Sequence, residues 1–366
     1  MRFNPDEVID VYRLARNAAW RYELEQYEKA VLRDIQRTVE AAKRQILSDL
    51  SGRIRESSDW TRARQTAILG ELDELSLGLR QVVGDKLATA TASVGSASLQ
   101  EAYEQLSVGG LAPVVNNLAL SPGQFKQFLA ASPVQGLLLP AWVDAAFAHS
   151  IVYPMTEQLQ IAGLRGEGYA KIVRRLEDGF EQFSRRELVT MARTYMQSAN
   201  VRSQQAVMDA NRDIIDGWIW TITSDDRVCP LCLPLSENFY GNDEQHPPIP
   251  RHPRCRCFPR SKTKSWRELG IDVDDLEPIE QAVVTRGYED KQGRWTIPPV
   301  DVGGAKIQQI RFYRGGIKEA WPNLPAKQRI AMIGPRRFEL IESGKVRLED
   351  LVDRRTGKLF LLKDLI

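Results

Sequence analysis

Outside residues 229–257 the chain contains no cysteine. Structural cysteines of a hydrophobic core would be scattered among the apolar segments, so this distribution excludes core packing as their shared role and points to one site. Histidine is scarce as well, with three in 366 residues, which leaves few imidazoles for acid–base chemistry. Long apolar runs are missing: the longest, such as Gly136 to Val143, fall far short of a bilayer span. The opening Met1-Arg-Phe-Asn-Pro-Asp places an acidic residue where a signal peptide needs basic and apolar ones. Synthesis in a reducing cytoplasm is therefore expected, where clustered cysteines favour a metal over disulfides. Two disulfides are the alternative. The formal net charge of +2 is nearly balanced, so overall charge gives no nucleic-acid affinity, although local clusters can. There is no G-x-S-x-G, no H-E-x-x-H and no glycine-rich loop with the GKS/T ending of a phosphate site.

What is present is mostly helical pattern. Proline is absent from Pro5 to about Tyr103. Apolar residues recur at Leu24, Tyr27, Val31, Ile35, Val39, Ala42 and Ile46, and again at Ile68, Leu72, Leu75, Leu79, Val83, Leu87 and Ala90. Spacings of three and four put each set on one helical face. Ser57-Ser58-Asp59-Trp60 between them supplies N-cap chemistry, which predicts two long helices folded back on each other. Ser107 to Pro113 is rich in glycine and breaks the pattern. Shorter helices follow, and the stretch from Ser184 to Asn211 directs Leu188, Met191, Ala192, Tyr195, Ala199 and Ala206 to a core. Gly217-Trp-Ile-Trp-Thr-Ile-Thr223 alternates large apolar and polar residues as a strand does.

The resulting expectation is a mainly α protein: a long N-terminal helical hairpin (1–106), a helical middle domain (107–216), a small zinc-knuckle α+β module (217–266), a linker-like segment (267–304) and a helical C-terminal region (305–366). Within the last, Thr356-Gly357 marks a short hairpin.

Cys229-Pro-Leu-Cys232 and His252-Pro-Arg-Cys255-Arg-Cys257 have the donor types and spacing of a structural zinc site. Pro230 favours the tight turn that aims Cys229 and Cys232 at one ion. The second half offers His252, Cys255 and Cys257 for two places. The preferred set is Cys229, Cys232, Cys255 and Cys257, with His252 beside it or as alternative fourth ligand. His246 reads as a loop residue, and His149 as a core histidine on an apolar helix. A catalytic zinc keeps an open position and a nearby general base. The H-x-E element of the zinc deaminases occurs nowhere in the chain. Four soft donors instead describe a closed, structural site and a protein without enzymatic activity. Arg251, Arg254, Arg256, Arg260, Lys262 and Lys264 form a basic cluster around the second half, able to contact DNA phosphates or an acidic partner, or to remain a solvated face. Arg254 and Arg256 have Asp225 and Asp226 as alternative partners.

Taken together, Trp220-Thr-Ile-Thr-Ser-Asp-Asp-Arg-Val-Cys-Pro-Leu-Cys232, Tyr240-Gly and Pro250-Arg-His-Pro-Arg-Cys-Arg-Cys257, preceded by Ala192-Arg193-Thr194, resemble the head-morphogenesis family of tailed phages, minor head proteins similar to protein F of phage Mu. The tail from Lys327 to Ile341 is similar to that of many members, whereas Leu235-Ser-Glu-Asn stands where many have a glycine turn. The resemblance implies a non-enzymatic virion component at the portal vertex, made in the host cytoplasm. Its partners would be the portal protein and the major capsid protein, with the packaged DNA as a further contact, and it would assist head assembly, DNA packaging or ejection. The competing readings are a zinc-knuckle nuclease of the HNH type and a DNA-binding module. Three dispersed histidines make the nuclease hard to assemble.

Overall fold

A computed structural model describes residues 5–55, 62–107, 122–134, 136–148, 153–165, 167–168, 170–175, 185–223, 228–264, 268–269, 281–284, 288–289, 295–296, 299–302, 305–308, 310–313 and 321–365. Two long helices open the chain, α1 (Pro5–Arg55) and α2 (Arg62–Leu106). The Ser57–Trp60 cap expected between them lies outside the described residues, as do most of the Ser107–Pro113 break and His149. Then come α3 (Pro122–Ala130), α4 (Leu139–Phe147), α5 (Tyr153–Leu164) and α6 (Arg185–Ala210).

Helix α6 packs along α2 and against α1, so three long helices form one layer of the core. Leu79, Val83, Leu87, Ala90 and Val94 of α2 are buried together with Met191, Ala192, Tyr195, Met196 and Ala199 of α6. On α1 the seam differs from the apolar stripe of the sequence. Tyr27 is 38% exposed, and Leu32 and Glu28 are buried, Glu28 to 2%. The buried face runs through Arg21, Leu24, Glu28, Leu32, Ile35 and Val39, a regular helical spacing whose charged members hide it from a search for apolar residues. A polar knot closes the layer, where Trp20 Nε1 of α1 and Ser98 Oγ of α2 both donate to Asn200 Oδ1 of α6 at 2.9 Å.

Gly95 lets α3 dock on α2. A Cβ built on it would fall 1.6 Å from a ring atom of the fully buried Phe125. Alanine would otherwise favour the helix, but here it forces Phe125 out of its seat. Gly95→Ala is expected to cost about 1–3 kcal/mol, read as a lowered urea midpoint at unchanged m-value.

After α6 the chain turns into a three-stranded antiparallel sheet of order β2-β1-β3, with β1 (Ile215–Thr221) central, β2 (Phe239–Gly241) and β3 (Phe258–Thr263). Register pairs Trp218 with Tyr240 and Trp220 with Pro259. Trp218 stacks on Tyr240 with centroids 4.9 Å apart, and His246 meets the Trp218 ring edge-on at 4.8 Å. His246 is thus an aromatic packing residue of the loop, consistent with its expected non-ligand role. The β2 approach needs Gly217, whose Cβ would sit 2.3 Å from the Tyr240 carbonyl oxygen.

Beyond β3 the structure departs from the expected linker and from the helical start of the C-terminal region. Residues 281–313 contain three two-stranded antiparallel pairs: β4 (Gln281–Val284) with β9 (Ile310–Tyr313), β5 (Tyr288–Glu289) with β6 (Trp295–Thr296), and β7 (Pro299–Val302) with β8 (Ala305–Gln308). Each strand is four residues or shorter, too brief for an alternation to register against the surrounding proline and glycine. Helix resumes with α7 (Ala326–Ile333) and α8 (Pro335–Glu342), separated by Gly334 at φ 83°. The expected hairpin at Thr356-Gly357 is present as a bridge between Val352 and Leu359, with Gly357 at φ 70°. This tail lies against the sheet: Tyr240 Oη donates to the Arg354 carbonyl at 3.1 Å, and Arg354 donates back to the Phe239 carbonyl at 2.7 Å. The described residues are mainly helical, with one three-stranded sheet and three two-stranded pairs.

Candidate metal centre

The cysteine-bearing turns converge beside the β1–β3 pair. Cys229 to Leu233 forms a tight turn, with the Cys232 and Leu233 amides donating to the Cys229 carbonyl at 3.1 Å. A 3-10 turn (Leu233–Leu235) then buries its three residues beneath it. On the other side the Cys255 amide donates to the His252 carbonyl at 3.1 Å, and Arg254 between them takes φ 60°. These two turns bring five donors together. Cys229, Cys232 and His252 form one triad and Cys232, Cys255 and Cys257 a second, with donor atoms within 4.8 Å of one another in each. Cys232 belongs to both. All four cysteines are free thiols, which does not match the two-disulfide alternative.

His252 is closer to the sulfurs than a neighbouring packing residue need be. Its Nε2 lies 3.0 Å from Cys229 Sγ and 3.2 Å from Cys232 Sγ. Its Nδ1 lies 2.8 Å from the Pro253 carbonyl oxygen. A carbonyl can only accept, so Nδ1–H donates and Nε2 is turned to the two sulfurs, the orientation usual for a metal-bound imidazole once Nε2 has given up its proton.

The electrostatics are those of crowded thiols sharing charge. Hydrogen bonds from Cys232 and His252 push the Cys229 thiol down to about 5. Cys255 is likewise lowered, first by Cys232 and then by Cys257. Cys232 is raised by its neighbours Cys229, Cys255 and Cys257. Cys257 is also raised: a bond from Cys232 lowers it, but Cys255 and complete burial outweigh that. Burial lowers His252, yet the thiolates of Cys229 and Cys255 carry it up to about 10. Negative charge therefore accumulates in a buried pocket of soft donors, the environment a thiophilic divalent ion requires.

The basic cluster has a different use from that expected of a DNA-facing patch. Arg260 is buried and pairs with Glu237 at 3.0 Å. Arg251 Nη1 donates to the Leu231 carbonyl at 2.5 Å. Arg254 reaches α6, its amide donating to Thr194 Oγ1 at 3.1 Å and its Nε to Thr190 Oγ1 at 2.7 Å. Arg256 Nη1 lies 3.6 Å from Glu25 of α1. Asp225 and Asp226, the partners considered from sequence, lie outside the described residues. Lys262 sits 3.7 Å from Asp216 and 4.6 Å from the Phe239 ring centroid, and Lys264 donates to the Asp213 carbonyl at 2.7 Å. All six cations have partners within the protein.

Sequence reasoning missed the polar layer behind the centre. Gln197 Nε2 donates to the Cys257 carbonyl at 2.5 Å, and Gln197 Oε1 accepts from Arg21 Nη1 at 2.6 Å. Arg21 Nη2 and Arg193 Nε approach Glu28 at 3.9 and 3.7 Å. These residues lie on three separate helical and loop segments. The available signal was their regular placement within helices, which charge masks.

Residues 156–259 match the family model described as Phage Mu protein F like protein. The matched region contains α6, β1, β2, the start of β3 and the cysteine turns, so the head-morphogenesis resemblance read from Ala192-Arg193-Thr194 and the cysteine motifs is supported there. Those three motif residues have structural work: Ala192 and Thr194 are fully buried, Thr194 receives the cysteine loop and Arg193 faces Glu28. No curated protein and no solved structure matches. Among the described residues no helix is long and apolar enough to cross a membrane.

Proposed function

We propose that this chain is a minor head protein of a tailed phage, a virion component that contacts the portal vertex and capsid interior and assists head assembly, DNA packaging or ejection. The observation that supports the reading is the family match over residues 156–259. In it the cysteine centre holds Zn2+ structurally. Cys229, Cys232 and Cys255 bind it, with Cys257 or His252 completing four donors. The ion would supply crosslinking of two loops that have little core of their own. Around it the protein's own groups fix the donors: the Pro253 carbonyl orients His252, Arg251 ties the Cys229–Cys232 turn to the second loop, and Gln197 holds the Cys257 backbone. The domain scheme follows the same logic, with helices as the contact surface and the cysteine module as their rigid junction.

The test is co-sedimentation of the purified full chain with portal rings. Retention with the rings supports the reading, and a chain left wholly in the supernatant with both portal and capsid shells counts against it. Metal-dependent cutting of plasmid DNA that disappears in His252→Ala would favour the nuclease. For the DNA-binding module, the inward engagement of the basic cluster leads us to expect only non-specific affinity, roughly 10⁻⁴–10⁻⁶ M at physiological salt, with no change on removing Lys262 and Lys264.

A further inference from the structure

The cysteine centre is wired to the first helix of the chain, more than two hundred positions earlier in sequence. Two routes run side by side. In one, the Cys257 carbonyl accepts from Gln197 Nε2, and Gln197 Oε1 accepts from Arg21 of α1. In the other, Arg256, which stands between Cys255 and Cys257, pairs with Glu25 of α1. Thr223 Oγ1 donates to the Arg256 carbonyl at 3.0 Å, and Arg254 is clamped to Thr190 and Thr194, so the loop carrying these contacts is held against α6 as one piece. Arg21 and Gln197 are both buried. A buried amide whose partner carbonyl moves away is left unsatisfied, which is costly enough to bias a nearby helix.

We infer that metal occupancy of the cysteine centre latches the Arg21–Glu28 stretch of α1 onto α6, through Gln197 and Arg256, so that loading the centre fixes the seat of the long N-terminal helix. The inference rests on the reading of the cysteines as a metal centre. Without an ion, the His252–Cys257 loop loses its crosslink to the Cys229–Cys232 turn, and the Cys257 carbonyl and the Arg256 guanidinium are held only by the loop's own bonds to Thr223 and α6. The distal half of α1 is held independently: Ile35 and Val39 are buried in the same core as Val83 and Leu87 of α2, and Lys86 bonds Asp34 at 2.5 Å. The latch therefore acts on one stretch of α1 and leaves the rest of the hairpin in place.

Hydrogen exchange on the full-length protein, with and without a zinc chelator, tests this. Chelation is expected to raise exchange over residues 17–28 by about tenfold or more, while residues 79–90 of α2 keep their protection. Gln197→Leu keeps every metal donor. It is expected to retain its metal, to exchange faster over 17–28 from the outset and to respond little to chelator. Glu25→Gln, at a half-buried position less able to disturb folding, is expected to give a smaller loss of the same kind. Elemental analysis of the same samples separates two failures. A chain that carries no metal overturns the centre itself. A chain that loses its metal while residues 17–28 stay protected, or a Gln197→Leu protein as protected and as chelator-sensitive as the parent, overturns the latch alone. Loss of protection over 79–90 as well would mean general unfolding and would also overturn it.

Discussion

Cys232→Ser should empty the centre of metal and unfold the cysteine module, because Cys232 is the sulfur common to both donor triads. Structural zinc contributes an apparent ~10–16 kcal/mol in small zinc modules. In this chain part of that is offset by burial of the turns in their own right, since Leu233, Leu235, Tyr240 and Trp220 are all buried beside them. Even a net loss of about 5 kcal/mol would lower the unfolding midpoint by roughly 6 °C in a chain of this length. Calorimetry with elemental analysis reads both quantities; a Cys232→Ser protein that melts like the parent and keeps one metal per chain would sink the idea. The single replacements His252→Ala and Cys257→Ser then identify the fourth ligand. Whichever residue binds the ion gives the larger fall in zinc affinity, and the other variant stays close to the parent. Affinity should also fall as pH drops, because the bound form needs thiolates and a neutral imidazole. His252, carried up to about 10 by its thiolate neighbours, must surrender a proton on binding at neutral pH.

How much of this was legible in the sequence depends on whether the signal was local. The cysteine site was, because spacing within each turn fixes which donors can meet. So were the long helices, the Trp strand and the Thr356-Gly357 hairpin, each carried by a pattern of several residues. What escaped depended on contacts between distant segments. His252 was placed beside the metal set, yet the chain reversal at Pro253 and Arg254 turns its Nε2 onto two sulfurs. The basic run reads as a surface because no acidic residue stands between His246 and Trp266 to pair with it. Its partners Glu25, Thr190, Thr194 and Glu237 arrive from α1, α6 and the loop before β2. On α1, Glu28 breaks the apolar stripe and so conceals that it belongs to the buried face.

The buried pair of Arg21 and Glu28 should be a net cost to stability, and replacing both residues together by apolar ones should show it. Burial is the main influence on each: it lowers Arg21, against the pull of Glu28 and Glu25, and it raises Glu28, against Arg21 and Arg193. In both, desolvation outweighs the attraction between them. The 3.9 Å separation is too long for a hydrogen bond, and Arg21 Nε and Glu28 Oε1 are without hydrogen-bond partners. Under those conditions a well-packed apolar pair is neutral or more stable by about 1–4 kcal/mol, whereas removing one partner of such a pair costs about 3–5 kcal/mol. Arg21→Met with Glu28→Leu is therefore expected to match or exceed the parent in urea unfolding, and Arg21→Met alone to fall below it. The pH dependence carries a sign. Because its folded-state value is raised above 4.5, Glu28 holds its proton more tightly in the folded chain than in the unfolded one. Its favourable contribution is present below the unfolded carboxylate range and is lost as pH rises through the folded value. The advantage of the double variant should thus be smallest in acid and grow towards neutral pH; a deficit equal to the sum of the single losses at every pH would refute the argument. The same variant removes Arg21 from Gln197, so the response of α1 exchange to metal should shrink to what Arg256 and Glu25 carry.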